Sequence, residues 1–92
     1  ILTGDFNLTP ETSSIELLQK NFHDAQGALP KTDPFYGTTN GFGNLKNVGH
    51  RIDYVFTKKI EVKSAKHLYK KTSLDGWASD HHPVVATLEL IE

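Results

Sequence analysis

The sequence predicts an α/β fold of the α+β kind: a mostly antiparallel sheet with one main helix on a face. Three observations predict it. A single stretch carries helical periodicity, with Ile15, Leu18 and Phe22 at i, i+3 and i+7. Four stretches read as strands. The order is strand, helix, long loop, strand, strand, loop, strand, with no internal repeat and no low-complexity segment.

Taken in order, Ile1-Leu2-Thr3 reads as the end of a buried strand, and Gly4-Asp5-Phe6-Asn7 as a polar tip beyond it. Thr9-Pro10-Glu11 suits a helix start: Thr9 can cap, Pro10 fits the first helical position, and Glu11 favours the positive end of the dipole. The helix is expected over about residues 10–21. Residues 27–50 hold five glycines and two prolines and read as loop, with an Asn40-Gly41 turn signal. Phe35, Tyr36 and Phe42 are expected to pin that loop down. The later strands are "RIDYVFT" (51–57), with Ile52, Tyr54 and Phe56 on one face, "IEVKSAKHLY" (60–69), and "PVVATLELI" (83–91), with Val84, Ala86, Leu88 and Leu90 on one face. The loop "KKTSLDGWASDHH" separates the last two.

With 92 residues there is room for one small domain with a marginal core. The net charge of −1 argues against a stand-alone binder of polyanions. Without cysteine there is no disulfide scaffold and no thiolate metal site. No run of about 18 apolar residues offers a transmembrane helix. No targeting segment is visible and no compartment follows from the composition.

Three polar clusters stand at strand ends: Asp5 with Asn7, then Asp53, then Asp80 with His81. A carboxylate at Asp80 can bind a hard cation, and His81 can work near neutral pH. Asp53 sits in an otherwise apolar strand and needs a partner, for which an imidazole is the natural choice. Each cluster also has a plain structural reading. Asp and Asn favour turns, and a strand Asp can be a satisfied edge residue. A zinc module on the histidines has poor ligand spacing, so His23, His50, His67 and His82 read as surface or loop residues. Six of the ten basic residues, all lysines, fall within 58–71. They form either the solvated side of an edge hairpin or an attraction for an anionic substrate. Trp77 reads equally as a loop anchor or a stacking platform.

The ordered trio "GDFN", "RIDYVF" and "SDHHPV", spanning residues 1–91, resembles the endonuclease/exonuclease/phosphatase (deoxyribonuclease I-like) superfamily. The "GTTNGFG" segment at 37–43 is a softer match to the same family. The resemblance implies a four-layered α/β sandwich of two similar halves, of which residues 1–92 would be the C-terminal half, a single partial domain. It implies a divalent-metal-dependent phosphoesterase that hydrolyses a phosphodiester or phosphomonoester with an activated water. Asp5 would position or deprotonate that water, and Asn7 would orient it and contact the phosphate. Asp53 would support His81, and His81 would stabilise charge or transfer a proton. Asp80 would lie in the metal site, with Asp5 and Asn7 as further candidates, and the ion would be Mg²⁺ or Mn²⁺.

The family's other ligands, an Asn and a Glu of the first half, have no counterpart here. Glu11, Glu16, Glu61, Glu89 and Glu92 sit in contexts that do not match. The fragment alone is therefore expected to be inactive, with an under-covered apolar sheet face that favours self-association or pairing with the missing half. The substrate stays open among nucleic acid, inositol phosphate, lipid headgroup and small metabolite, and nuclease is not separated from phosphatase. A non-catalytic binding module on the same fold is the alternative.

Overall fold

In the computed structural model, residues 1–43, 49–74 and 76–91 are described. The elements are β1 (Leu2–Asp5), α1 (Ser13–Gln19), β2 (His23–Asp24), β3 (Asp53–Thr57), β4 (Ile60–His67) and β5 (Val84–Leu90). They form an α+β fold in which all pairing is antiparallel. One sheet has the order β1-β3-β2, and β4 and β5 form a second sheet. Among the described residues, no helix is long and apolar enough to cross a membrane.

The core follows from the alternation in β3. Tyr54 and Phe56 point to one side and are buried, and Phe6 stacks on both, with ring centroids 5.6 and 5.9 Å apart. Helix α1 lies on this side and buries Ile15 completely, with Leu18 and Phe22 packed partly against it. Helix formation is local, but this apolar stripe is what fixes α1 to the sheet. The Tyr54 hydroxyl donates to the Leu8 carbonyl at 2.6 Å and so ties the chain after β1 to β3.

The helix is shorter than its sequence pattern predicts. Residues 9–12 form a separate turn, in which the Thr12 N–H and hydroxyl both bond the Thr9 carbonyl, and Thr12 rather than Thr9 stands at the N-cap position. Strand β2 was not expected. It is held by a buried ion pair in which Arg51 meets both Asp24 oxygens, at 2.7 and 3.1 Å. Gln26, fully buried just beyond β2, carries the sheet pattern onward with its side chain. Its amide nitrogen donates to the Asp53 carbonyl, and its amide oxygen accepts from the Val55 N–H, both at 2.9 Å.

Two further expectations need correction. His67 is buried within β4, neither surface nor loop, and His82 is a loop residue but a buried one, because each closes a polar contact between segments distant in sequence. Of the three aromatics expected to pin the loop, Tyr36 packs beneath the Arg51 guanidinium and Phe35 meets Tyr69 edge-on, whereas Phe42 is 66% exposed. The expected loop at 27–50 and the one at 70–82 include residues 44–48 and 75, which lie outside the described residues, as does Glu92.

Candidate active site

The tip of β1 and the start of β3 are the foundation of the site. Asp5 and Asp53 are direct cross-strand partners, and the next pairing, from the Phe6 N–H to the Ile52 carbonyl, closes the ladder at 3.0 Å. Two carboxylates placed opposite one another repel. The structure answers this with an imidazole: His81 Nδ1 lies 2.8 Å from Asp53 Oδ2, and its Nε2 lies 3.8 Å from Asp5 Oδ2. A carboxylate only accepts, so the Nδ1 proton is fixed toward Asp53 and Nε2 is the working atom. The hydrogen bond to Asp53 raises the His81 pKa above its ordinary value; burial opposes this, and the charges of Asp53, Asp5 and Asp80 add to the rise.

Asp5 has two roles at once. Its Oδ1 accepts the Asn7 N–H at 2.9 Å and shapes the turn, while Oδ2 faces His81. Asn7 adopts φ 54°, a left-handed conformation that Asn tolerates better than most residues. Its presence is thus explained by the turn, and its side chain also lines a cavity of about 170 Å³ with His81, Asp80 and His50. Asp80 stands outside the Asp5–His81–Asp53 cluster. It is exposed, its carbonyl accepts the Asn40 N–H at 2.8 Å, and its carboxylate contributes to the field at His81.

What brings "SDHH" to the strand tips is a seam that the sequence did not reveal. Residues 38–40 are buried and pair on both sides. On one side the His82 N–H bonds the Thr38 carbonyl, the Asn40 N–H bonds Asp80, and the Asn40 amide bonds the Ser79 carbonyl at 2.9 Å. On the other side the Thr38 hydroxyl oxygen accepts from the Ile52 and Asp53 N–H groups, at 3.0 and 3.2 Å. One threonine therefore holds both the Asp53 backbone and the segment that carries His81. Gly37 lets the seam close, because a Cβ there would stand 2.6 Å from the Gly49 backbone. The sequence signal was present in "GTTNGFG", but its pairing partners are 11 to 44 positions away.

Trp77 anchors its loop: the half-buried ring packs edge-on against His82 and Tyr69, and Lys71 lies over it at 5.4 Å. Lys63 bridges Glu61 and Glu89 on the hairpin surface. None of Glu11, Glu16, Glu61 or Glu89 joins the trio; Asp5, Asp53 and His81 are the one cluster of three metal-capable side chains among the described residues. The Nδ1 of His81 is committed to Asp53, so the imidazole could offer only Nε2 to an ion, and the remaining donors nearby are oxygens. Asn7 and Asp80 line the cavity and Asp5 faces His81 beside it; their oxygens form a donor set that would fit a hard divalent cation.

Over nearly its whole length, 98%, the chain superposes on a solved structure described as a functionally unknown conserved protein from Enterococcus faecalis V583, with a TM-score of 0.79 and 24% identity. It spans 36% of that protein's length. No curated protein matches it significantly in sequence. Residues 1–81 match the model of the Endonuclease/Exonuclease/phosphatase family. The chain belongs to that family, whose members hydrolyse phosphate esters and generally depend on a divalent metal.

Proposed function

We propose that this chain supplies the water-activating and charge-stabilising half of a Mg²⁺- or Mn²⁺-dependent phosphoesterase. The observation that carries the reading is the imidazole of His81 suspended between Asp53 at 2.8 Å and Asp5 at 3.8 Å, at the mouth of a cavity shared with Asn7 and Asp80.

Hydrolysis forms a bond from a water oxygen to phosphorus, breaks the P–O bond to the ester oxygen, and moves one proton from water to the departing group. Asp5 Oδ2, which makes no hydrogen bond among the described residues, is placed to take the water proton. The Asn7 amide orients that water. His81, whose protonated form the hydrogen bond to Asp53 favours, directs its Nε2–H to the phosphoryl oxygens or to the leaving oxygen. General acid–base groups of this kind contribute about 10²- to 10⁴-fold each, and preorganised charge contributes through the same geometry. A divalent ion held by Asp80, Asp5 and Asn7 would neutralise charge on the phosphoryl oxygens.

The chain matches about a third of its structural neighbour, so we read residues 1–92 as one part of a larger domain. The remaining metal ligands would come from the absent part, and the isolated chain would turn over little or no substrate. Ile1, Leu2, Leu90 and Ile91 are exposed, in keeping with a partner segment or self-association there.

The test is hydrolysis by the longer polypeptide that carries this chain, on plasmid DNA, RNA, a phosphorylated sugar and a choline phospholipid, with Mg²⁺ or Mn²⁺. Activity lost on EDTA treatment and in His81→Ala is the expected result. A folded, metal-binding protein with no turnover on any phosphate ester would favour a non-catalytic module.

A further inference from the structure

His81 also lines a second hollow of about 370 Å³, to which neither Asn7 nor Asp80 contributes. Its walls are carbon: Leu68, Trp77, Ala78 and Pro83. The Leu68 N–H bonds the Pro83 carbonyl at 2.9 Å, so the floor where β4 ends and β5 begins is fixed. The Trp77 ring is held by its edge-on contact with His82, at 4.8 Å. At the rim stand Lys70 and Lys71, both exposed.

His81 is the partition. It lines this hollow and also the polar cavity of Asn7 and Asp80. A phosphate dianion is too costly to bury against carbon walls without paired charge, so the reacting phosphoryl group belongs on the polar side. What the second hollow accepts is the group attached to it. Its size lies within the range of small-molecule sites, and its apolar walls with a few cations at the edge match a ligand that is apolar with an anionic end.

Building on the phosphoesterase reading, we propose that this recess seats an aromatic or otherwise apolar ester group of the substrate, with Lys70 and Lys71 drawing in its anionic end. Such a substrate class differs from a bare polyhydroxylated phosphate, which would gain nothing from Leu68, Trp77 and Pro83.

Trp77 is the one tryptophan of the sequence, so its fluorescence reports this recess directly. Phenyl phosphate, inorganic phosphate and phenol are the probes, titrated against the protein at fixed ionic strength. Phenyl phosphate is expected to perturb Trp77 saturably and at least tenfold more tightly than either inorganic phosphate or phenol. Ala78→Phe, a change at an exposed wall position, is expected to weaken phenyl phosphate at least fivefold and leave inorganic phosphate unchanged. Lys70→Ala is expected to weaken both anions severalfold and leave phenol unchanged. Phenyl phosphate binding no tighter than inorganic phosphate, or binding untouched by Ala78→Phe with the fold intact, would overturn the proposal. If the phenyl preference holds while the longer protein hydrolyses no phosphate ester, the recess stands and the phosphoesterase reading falls.

Discussion

His81 and His67 are the same side chain in two regions that tune it in opposite directions. At the strand tips, His81 faces carboxylates, and its hydrogen bond to Asp53 raises its pKa. At the seam between the two sheets, His67 faces neutral groups. Its Nδ1 lies 2.8 Å from the Phe35 carbonyl, which can only accept, so the proton sits on Nδ1, and Nε2 must accept from the Gln26 amide at 2.9 Å. Burial then lowers the His67 pKa, and it lowers that of His82, stacked 3.7 Å from Tyr69, in the same way. At His81 the carboxylate hydrogen bond outweighs burial, whereas at His67 and His82 burial is the leading effect. The tip is arranged to hold a proton at a working atom, and the seam is arranged to keep imidazoles neutral as fixed hydrogen-bond parts.

The comparison breaks most sharply by function. In the longer polypeptide, His81→Ala should cut phosphate-ester turnover by about 10²- to 10⁴-fold while leaving the melting temperature nearly unchanged, read by steady-state kinetics and calorimetry. The seam should respond in reverse. Gln26→Leu leaves the Val55 N–H, the Asp53 carbonyl and His67 Nε2 without a partner. At roughly 1–3 kcal/mol per unsatisfied group, a loss of about 3 kcal/mol or more is expected in chemical denaturation. Gly37→Ala pushes a methyl group against the Gly49 backbone and should cost about 1–3 kcal/mol, again by denaturation.

The smallest effect is the pH dependence. His81, with a raised folded pKa, contributes stability that is fully present below its unfolded value of roughly 6.5 and is lost as pH rises through its folded value. His67 and His82, with lowered folded pKa values, contribute no penalty above that unfolded value, and stability falls as pH drops from there through their folded values. Stability should therefore decline on both sides of a near-neutral maximum. His81→Asn should flatten the alkaline side and leave the acidic side in place, checked by thermal melts between pH 5 and 9.

The strand tips were legible in the sequence and the seam was not, for a physical reason. Tyr54 and Phe56 announce β3 by alternation, and a carboxylate at Asp53 in such a strand demands a partner, for which a histidine was the natural choice; the family resemblance pointed to His81. Those signals are local. Gln26, Thr38 and Asn40 are ordinary loop residues by type, and their burial depends on groups 12 to 44 positions away. Nothing near Thr38 in the chain shows that its hydroxyl will meet the Ile52 and Asp53 N–H groups. The helix start shows the same limit at short range. Thr9 and Thr12 both suit a cap, and the turn between them decides for Thr12.

The most direct test is a pH titration of the histidine ring protons by NMR, in the native chain and in Asp53→Asn. The account predicts that His81 titrates above the ordinary histidine value and His67 and His82 below it, with Asp53→Asn bringing His81 down and leaving the other two in place. His81 titrating at or below the ordinary value, or unmoved by Asp53→Asn, would contradict the account.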